Sequence, residues 1–256
     1  MITHLLFAAA FAQEPDIEID LGGPEEAPLS YNGGFTTRSA DKVATNAAVS
    51  VSSPVGTTTV YCTDTEYVEA RVDYALSGPA GAPLEAYGKS FKVATTGGTT
   101  GKVTILAGTR GAGVKTSKVT VTVNVPKQAR LTVSAGGDWV KVIGCDGTVS
   151  ATSKTSAYVG GPLDGFNVTA NNGNIVVEVE GDSKIVAAST ISAPHGDVTL
   201  SMPFAQDLKI DARGTAVTVA QSVTGTNDAA VVSGAIGAGG PALTIKASGT
   251  VTVKTP

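Results

Sequence analysis

Gly196-Asp197-Val198-Thr199-Leu200 is one of five copies of a short phrase: a glycine, a polar or small residue, then apolar and polar residues in alternation. The others are Gly147-Thr148-Val149-Ser150-Ala151, Gly173-Asn174-Ile175-Val176-Val177, Gly214-Thr215-Ala216-Val217-Thr218-Val219 and Gly249-Thr250-Val251-Thr252-Val253. Each reads as a turn followed by a short strand with period-two patterning. One such unit cannot bury its apolar face alone, so repetition implies stacked rungs. The fold class expected is all-β: a short β-solenoid, preceded by an irregular antiparallel strand-rich region. The glycines lie 26, 23, 18 and 35 residues apart, less regular than a strict β-helix. The longest gap contains Gly234 to Gly240 and reads as an excursion loop at about residues 221–241. A β-sandwich of antiparallel strands stays open, because alternation alone does not separate it from a solenoid and Asn172-Gly173 is a good hairpin turn.

Composition fits thin, similar layers. Aromatics make up 5% of the 256 residues, and Gly, Val, Thr, Ala and Ser supply much of the rest. Apolar residues at helical spacing persist nowhere, so no helix is expected. The net charge of −4 is uneven: Glu14, Asp16, Glu18, Asp20, Glu25 and Glu26 all precede the first basic residue, Arg38. Without a basic patch carrying interleaved aromatics, nucleic acid is not an expected partner. No stretch reaches the roughly 18 apolar residues of a membrane-spanning helix.

Taken in order, residues 1–12 read as an export signal, with an apolar run from Leu5 to Phe11 and the small-x-small sequence Ala10-Phe11-Ala12. Residues 13–40 read as a flexible acidic linker with Gly22-Gly23-Pro24 and Asn32-Gly33-Gly34. Residues 41–126 are strand-rich, with close-set turns that suggest antiparallel hairpins, such as Pro54-Val55-Gly56 and Thr96-Gly97-Gly98. Their longest strand signal, Lys118 to Val125, ends at Pro126. Residues 127–256 carry the rungs.

The sequence from Ile191 to Pro203, ISAPHGDVTLSMP, resembles the rung of a bacterial family of exported β-strand-repeat proteins. Ala242 to Val253 is similar to that family's last rung, and Val125-Pro126 followed by Leu131-Thr132-Val133 to its passage into the repeats. The likeness covers roughly residues 45–256. That family carries the provisional name adhesin and has no assigned function. The resemblance implies a β-solenoid in an envelope or extracellular setting, and it brings no catalytic residues to carry over.

The chemistry looked for gives no catalytic, cofactor-binding or metal site. Of the two histidines, His4 lies in the signal and His195 in a turn beside Gly196-Asp197, with Ser192 and Ser201 nearby in sequence. A Ser/His/Asp triad is conceivable there, but no nucleophile elbow accompanies it, and a solvated turn histidine is the plainer reading. Asp146, Asp164, Asp182 and Asp197 sit at turns without the repeated phrase of calcium-binding β-rolls. Glu178 and Glu180, two apart, are the nearest approach to a carboxylate pair, and a carbohydrate-active lyase or hydrolase on a β-helix is the alternative function. Asn167-Val168-Thr169 matches a glycosylation sequon that a bacterial source would leave idle. Cys62 and Cys145, the only two cysteines, are the disulfide candidate. Export permits oxidation, yet several strands separate the two, and each also suits a small buried gap. The function expected is a non-enzymatic, exported cell-envelope or surface module that binds a protein or glycan partner. It requires no cofactor, and self-association through an uncovered solenoid end is open to it.

Overall fold

The computed structural model describes residues 29–256, and the proposed export signal and the first half of the expected linker lie outside them. The all-β expectation holds, with 21 strands and one seven-residue helix among the described residues. The organisation is clearest in its middle. Strands β8 (Arg130–Ala135), β9 (Trp139–Ile143), β10 (Thr148–Ser153), β11 (Ser156–Gly161), β12 (Gly165–Ala170), β13 (Ile175–Val179), β14 (Ser189–Ala193) and β15 (Val198–Ser201) alternate between two sheets. From β10 to β15, each pairs in parallel with the strand two places earlier. The chain therefore climbs in two-strand rungs. The hairpin pairing that Asn172-Gly173 suggested does not form, because that turn carries the chain from one sheet to the other.

The inner faces explain why the strands stack. Val140, Ala157, Ile175 and Val198 lie in line on the ten-stranded first sheet, and Leu131, Val149 and Phe166 on the eleven-stranded second. All are buried in one continuous core. A parallel, in-register ladder puts like residue over like, so Val, Ile, Leu and Ala fill layers of even thickness.

The repeated phrase has a structural cause. A side chain on Gly196 would meet the Gly173 carbonyl oxygen at 2.2 Å, so the two turns stack closer than any other residue allows. Asn174 Oδ1 accepts the Asp197 backbone N–H at 2.9 Å, and Asp197 Oδ1 accepts that of Thr250 at 2.6 Å. The polar residue after the glycine thus ties one turn to the next.

Both ends depart from sequence order. After β15 the chain lays down β16 (Leu208–Arg213) and β17 (Ala216–Val219) one place beyond the next free position. It then forms β18 (Thr224–Asp228) and β19 (Val231–Ile236) and returns with β20 (Ala242–Ala247) and β21 (Thr250–Lys254) to fill the gap. The 18- and 35-residue spacings follow from this, since the Gly249 turn lies between those of Gly196 and Gly214. The expected 221–241 loop is instead the β18–β19 hairpin, antiparallel on β16.

The same inversion occurs at the start. β2 (Val43–Ser53) and β3 (Thr57–Thr63) sit between the rung of β8 and β9 and the rung of β6 (Gly98–Leu106) and β7 (Lys115–Pro126). Their ladders are parallel, whereas those of β4 (Glu69–Gly78) with β7 and of β5 (Lys92–Thr96) with β6 are antiparallel, so the region over 41–126, expected to be antiparallel, is mixed. Pro54-Val55-Gly56 is a turn between sheets, because β2 and β3 face each other across the core. Beyond them, β4 pairs antiparallel with β7 and with β1 (Leu29–Arg38), and β5 pairs antiparallel with β6. β1 also corrects the linker, whose residues 29–38 are a sheet strand.

Helix α1 (Leu84–Ser90) is a further correction, since no helix was expected. Leu84 and Tyr87 are its buried apolar residues, too few for a helical period to show in sequence. Near it Tyr31 stacks on Tyr74, and Tyr74 and Tyr87 each pack on Phe91, with ring centroids 5.2 to 6.0 Å apart. The scarce aromatics are spent on this end, where layers of valine no longer close the core.

Candidate binding face

Outward residues of the first sheet form ladders across the rungs, as the inward ones do. Tyr61 on β3 pairs with Ile143 on β9, Ile143 with Gly160 on β11, and Gly160 with Glu178 on β13. One step along the strands, Thr59, Lys141, Tyr158 and Val176 are in line, and Trp139 pairs with Ser156. Elsewhere the outer ladders carry mainly Thr, Ser and Asn; here they carry two rings in view of solvent, Tyr61 at 39% and Trp139 at 37% exposed.

Tyr158 links the row together. Gly160 leaves room for its ring, since a Cβ there would lie 2.7 Å from Tyr158 Oη. The phenol donates to Glu178 Oε2 at 2.5 Å, and the Lys141 ammonium stands 5.3 Å from the ring centroid. Burial of the ring raises the phenol's pKa first, and the hydrogen bond and charge of Glu178 raise it further, to about 12. The phenol is therefore a proton donor in place over the whole physiological range. Rings, a fixed hydroxyl, a carboxylate and an ammonium lie together on the outer face of one sheet. The face offers stacking and hydrogen bonding to a ligand laid across the rungs.

The residues considered for catalysis are not assembled. His195 is exposed in the turn between β14 and β15, Ser192 lies on the second sheet and Ser201 on the first. Glu178 is engaged by Tyr158, and Glu180 follows the end of β13. Asp197 serves the stacking of turns, and Asp182 is exposed. Asp146 and Asp164 line a shallow recess with Asn46, Gln128 and Arg130. Among the described residues no group of three or more His, Cys, Asp or Glu is placed to hold a metal ion. Cys62, on β3, and Cys145, in the turn after β9, come together in disulfide geometry, with Cα atoms 4.9 Å apart. The pairing of β3 with β9 brings them close across the 83 residues between them.

Sequence reasoning missed Tyr61, Trp139, Lys141 and Tyr158. Each stands at an outward position of its strand, and only the inter-strand register gathers them into adjacent rows of one face.

No protein-family model matches the chain, and no curated protein matches it. Among solved structures it is similar to a protein of Clostridium sporogenes provisionally named as a cell adhesion protein. That overlap covers 90% of this chain and all of the other, at 14% identity and a TM-score of 0.46. A provisionally named adhesin of Bacteroides fragilis overlaps 91% of this chain and 99% of its own length, at 10% identity and a TM-score of 0.32. Overlaps this partial fix neither fold nor activity.

Proposed function

We propose that the chain is a non-enzymatic, exported module of the cell envelope or surface that binds a polymeric glycan on the outer face of the first sheet. The observation that carries this reading is Tyr61 and Ile143 in one row, Tyr158 reaching over Gly160 of that row, and Trp139 on the same face, which parallel rungs stiffen. Sugar rings present apolar C–H faces edged by hydroxyls, and amphipathic aromatic rings beside fixed donors and acceptors match that chemistry. A flat, unenclosed face suits an extended polymer better than a small molecule, which needs a concave pocket. Export agrees with the apolar run at residues 5–11 and with the placement of Cys62 beside Cys145. The adhesin-type role fits the family resemblance of residues 191–203.

The test is affinity electrophoresis and sedimentation against peptidoglycan and a panel of neutral and acidic polysaccharides. Retention by at least one polymer is expected, weakened roughly tenfold or more in Trp139→Ala and Tyr61→Ala, as aromatic anchors at an interface behave. No reducing ends or unsaturated products should appear. Failure to retain any polymer removes the glycan reading. Product formation that is lost in Glu178→Gln replaces it with the enzymatic one.

A further inference from the structure

Lys141 stands in the middle of the binding face without an opposite charge. It is half-buried. Along β9 it lies between Trp139 and Ile143, and across the rungs between Thr59 and Tyr158. The diagonal positions carry Thr57, Tyr61, Ser156 and Gly160. Its ammonium stands 5.3 Å from the Tyr158 ring centroid and forms no ion pair among the described residues. β7, β3, β9 and β11 are consecutive in the first sheet, and none of the four contains an acid, whereas Lys115, Lys118 and Lys141 belong to them. The acids around these strands are distant or engaged. Glu178 on β13 accepts the Tyr158 phenol. Glu69 and Asp73 on β4 lie three strand spacings from β9, about 14 Å, and Asp73 is held by the Arg71 guanidinium at 2.7 and 2.8 Å. Asp138, in the turn before β9, is three residues from Lys141, about 10 Å along the chain.

We propose that Lys141 makes this face selective for acidic polysaccharides, by receiving an anionic group on a sugar ring that stacks beside it on Trp139 or Tyr61. This rests on the glycan reading of the face and adds the class of polymer. A half-buried ammonium has given up part of its water, so an anion that meets it there gains more than it does at an open surface. Trp139 and Ile143 stand two residues to either side of Lys141, about 7 Å along the strand, and Tyr61 adjoins Ile143. A ring stacked on either aromatic therefore brings a substituent towards the ammonium.

Stacking on the aromatic rings does not tell a neutral sugar from an acidic one, so the charge decides. A lysine acts as a point charge, and carboxylate and sulfate groups on the sugar suit it alike. The neighbouring hydroxyls of Thr57, Thr59 and Ser156 both donate and accept, which matches the hydroxyls of the ring. The chain as a whole carries −4, so this attraction is local to the face and acts over roughly a Debye length of about 8 to 10 Å.

Trp139 is the only tryptophan, so its fluorescence reports on this face. The protein is titrated with polygalacturonate and its methyl-esterified form, and with dextran sulfate and dextran, and binding is read by Trp139 emission and by retention in affinity gels. At least one acidic polymer should bind about tenfold more tightly than its neutral counterpart, and which of them does so tells a carboxylate ligand from a sulfated one. The difference should shrink as salt is raised. Lys141→Gln should remove it, and Lys141→Arg, which keeps the charge, should retain it. Matching emission spectra of the unliganded proteins show that the fold is intact. Equal binding within both pairs, or a difference that survives in Lys141→Gln, overturns the role of Lys141 and leaves the glycan reading standing. Binding to none of the four polymers, with none retained from the wider panel, overturns both.

Discussion

Asp197 and Thr250 lie 53 residues apart, yet the carboxylate of the first accepts the backbone N–H of the second at 2.6 Å. The bond crosses from one rung to its spatial neighbour, and Asn174 makes the equivalent bond to Asp197 one rung earlier. These side chains sit where stacked turns leave an amide without a strand partner.

Asp197→Ala should therefore destabilise the protein by about 1 to 2 kcal/mol, the scale of a partly exposed hydrogen bond to a charged group. Asp197→Asn should recover most of that loss. Gly196→Ala should cost more, because the new methyl meets a carbonyl oxygen of the turn below rather than a movable side chain. Denaturant melts would rank the three, and a Gly196→Ala protein as stable as the parent would rule out the close stacking.

Val198 and Thr199 are neighbours on opposite faces of β15, the first buried between Ile175 and Val251, the second outward between Val176 and Thr252. Val198→Asp places an unpaired charge in the core and should cost several kcal/mol. Thr199→Asp should stay within roughly 0.5 kcal/mol of the parent. Equal losses in chemical denaturation would contradict the inward and outward assignment.

The approach of Cys62 and Cys145 to a Cα separation of 4.9 Å meets the geometric requirement of a bridge. We expect protein recovered from an oxidising compartment to show no free thiol when unfolded without reductant. Closing a loop of 83 residues removes unfolded-state entropy worth about 4.5 kcal/mol in the loop-closure model, so Cys62→Ser with Cys145→Ser should lower the denaturation midpoint clearly. Two titratable thiols in the parent would end the idea.

Tyr158 provides a pH signature. Its folded pKa is raised above that of the free phenol, from 10.0 to about 12. The folded state thus holds this proton more tightly, and the resulting stability is fully present below pH 10. It is lost as pH rises through the window from 10 to 12. Burial also raises the pKa of Tyr74, so the alkaline absorbance difference between the parent and Glu178→Gln, not the late phase itself, should report Tyr158, which ionises earlier in the variant. A Glu178→Gln titration superposable on the parent's would deny the Tyr158–Glu178 bond its role.

The sequence by itself determined the strands of the repeat and their faces. Period-two alternation identifies the core side of a strand whatever it pairs with, so Val198, Leu200, Ile175 and Val177 were legible as buried residues. It also showed the glycine turns, because only glycine permits turns to stack so closely. The order of the rungs in space it left open: parallel ladders accept any rung of matching register, so nothing local tells the Gly249 turn to enter between those of Gly196 and Gly214. The same freedom hid the parallel pairing of β2 and β3 and turned an expected loop at 221–241 into a hairpin. Helix α1 was too short for its period to show. The candidate face was invisible for the same reason as the rung order. Tyr61, Trp139, Lys141 and Tyr158 are each an ordinary outward residue in sequence, and they become one surface only when inter-strand hydrogen bonds fix the register that lines them up.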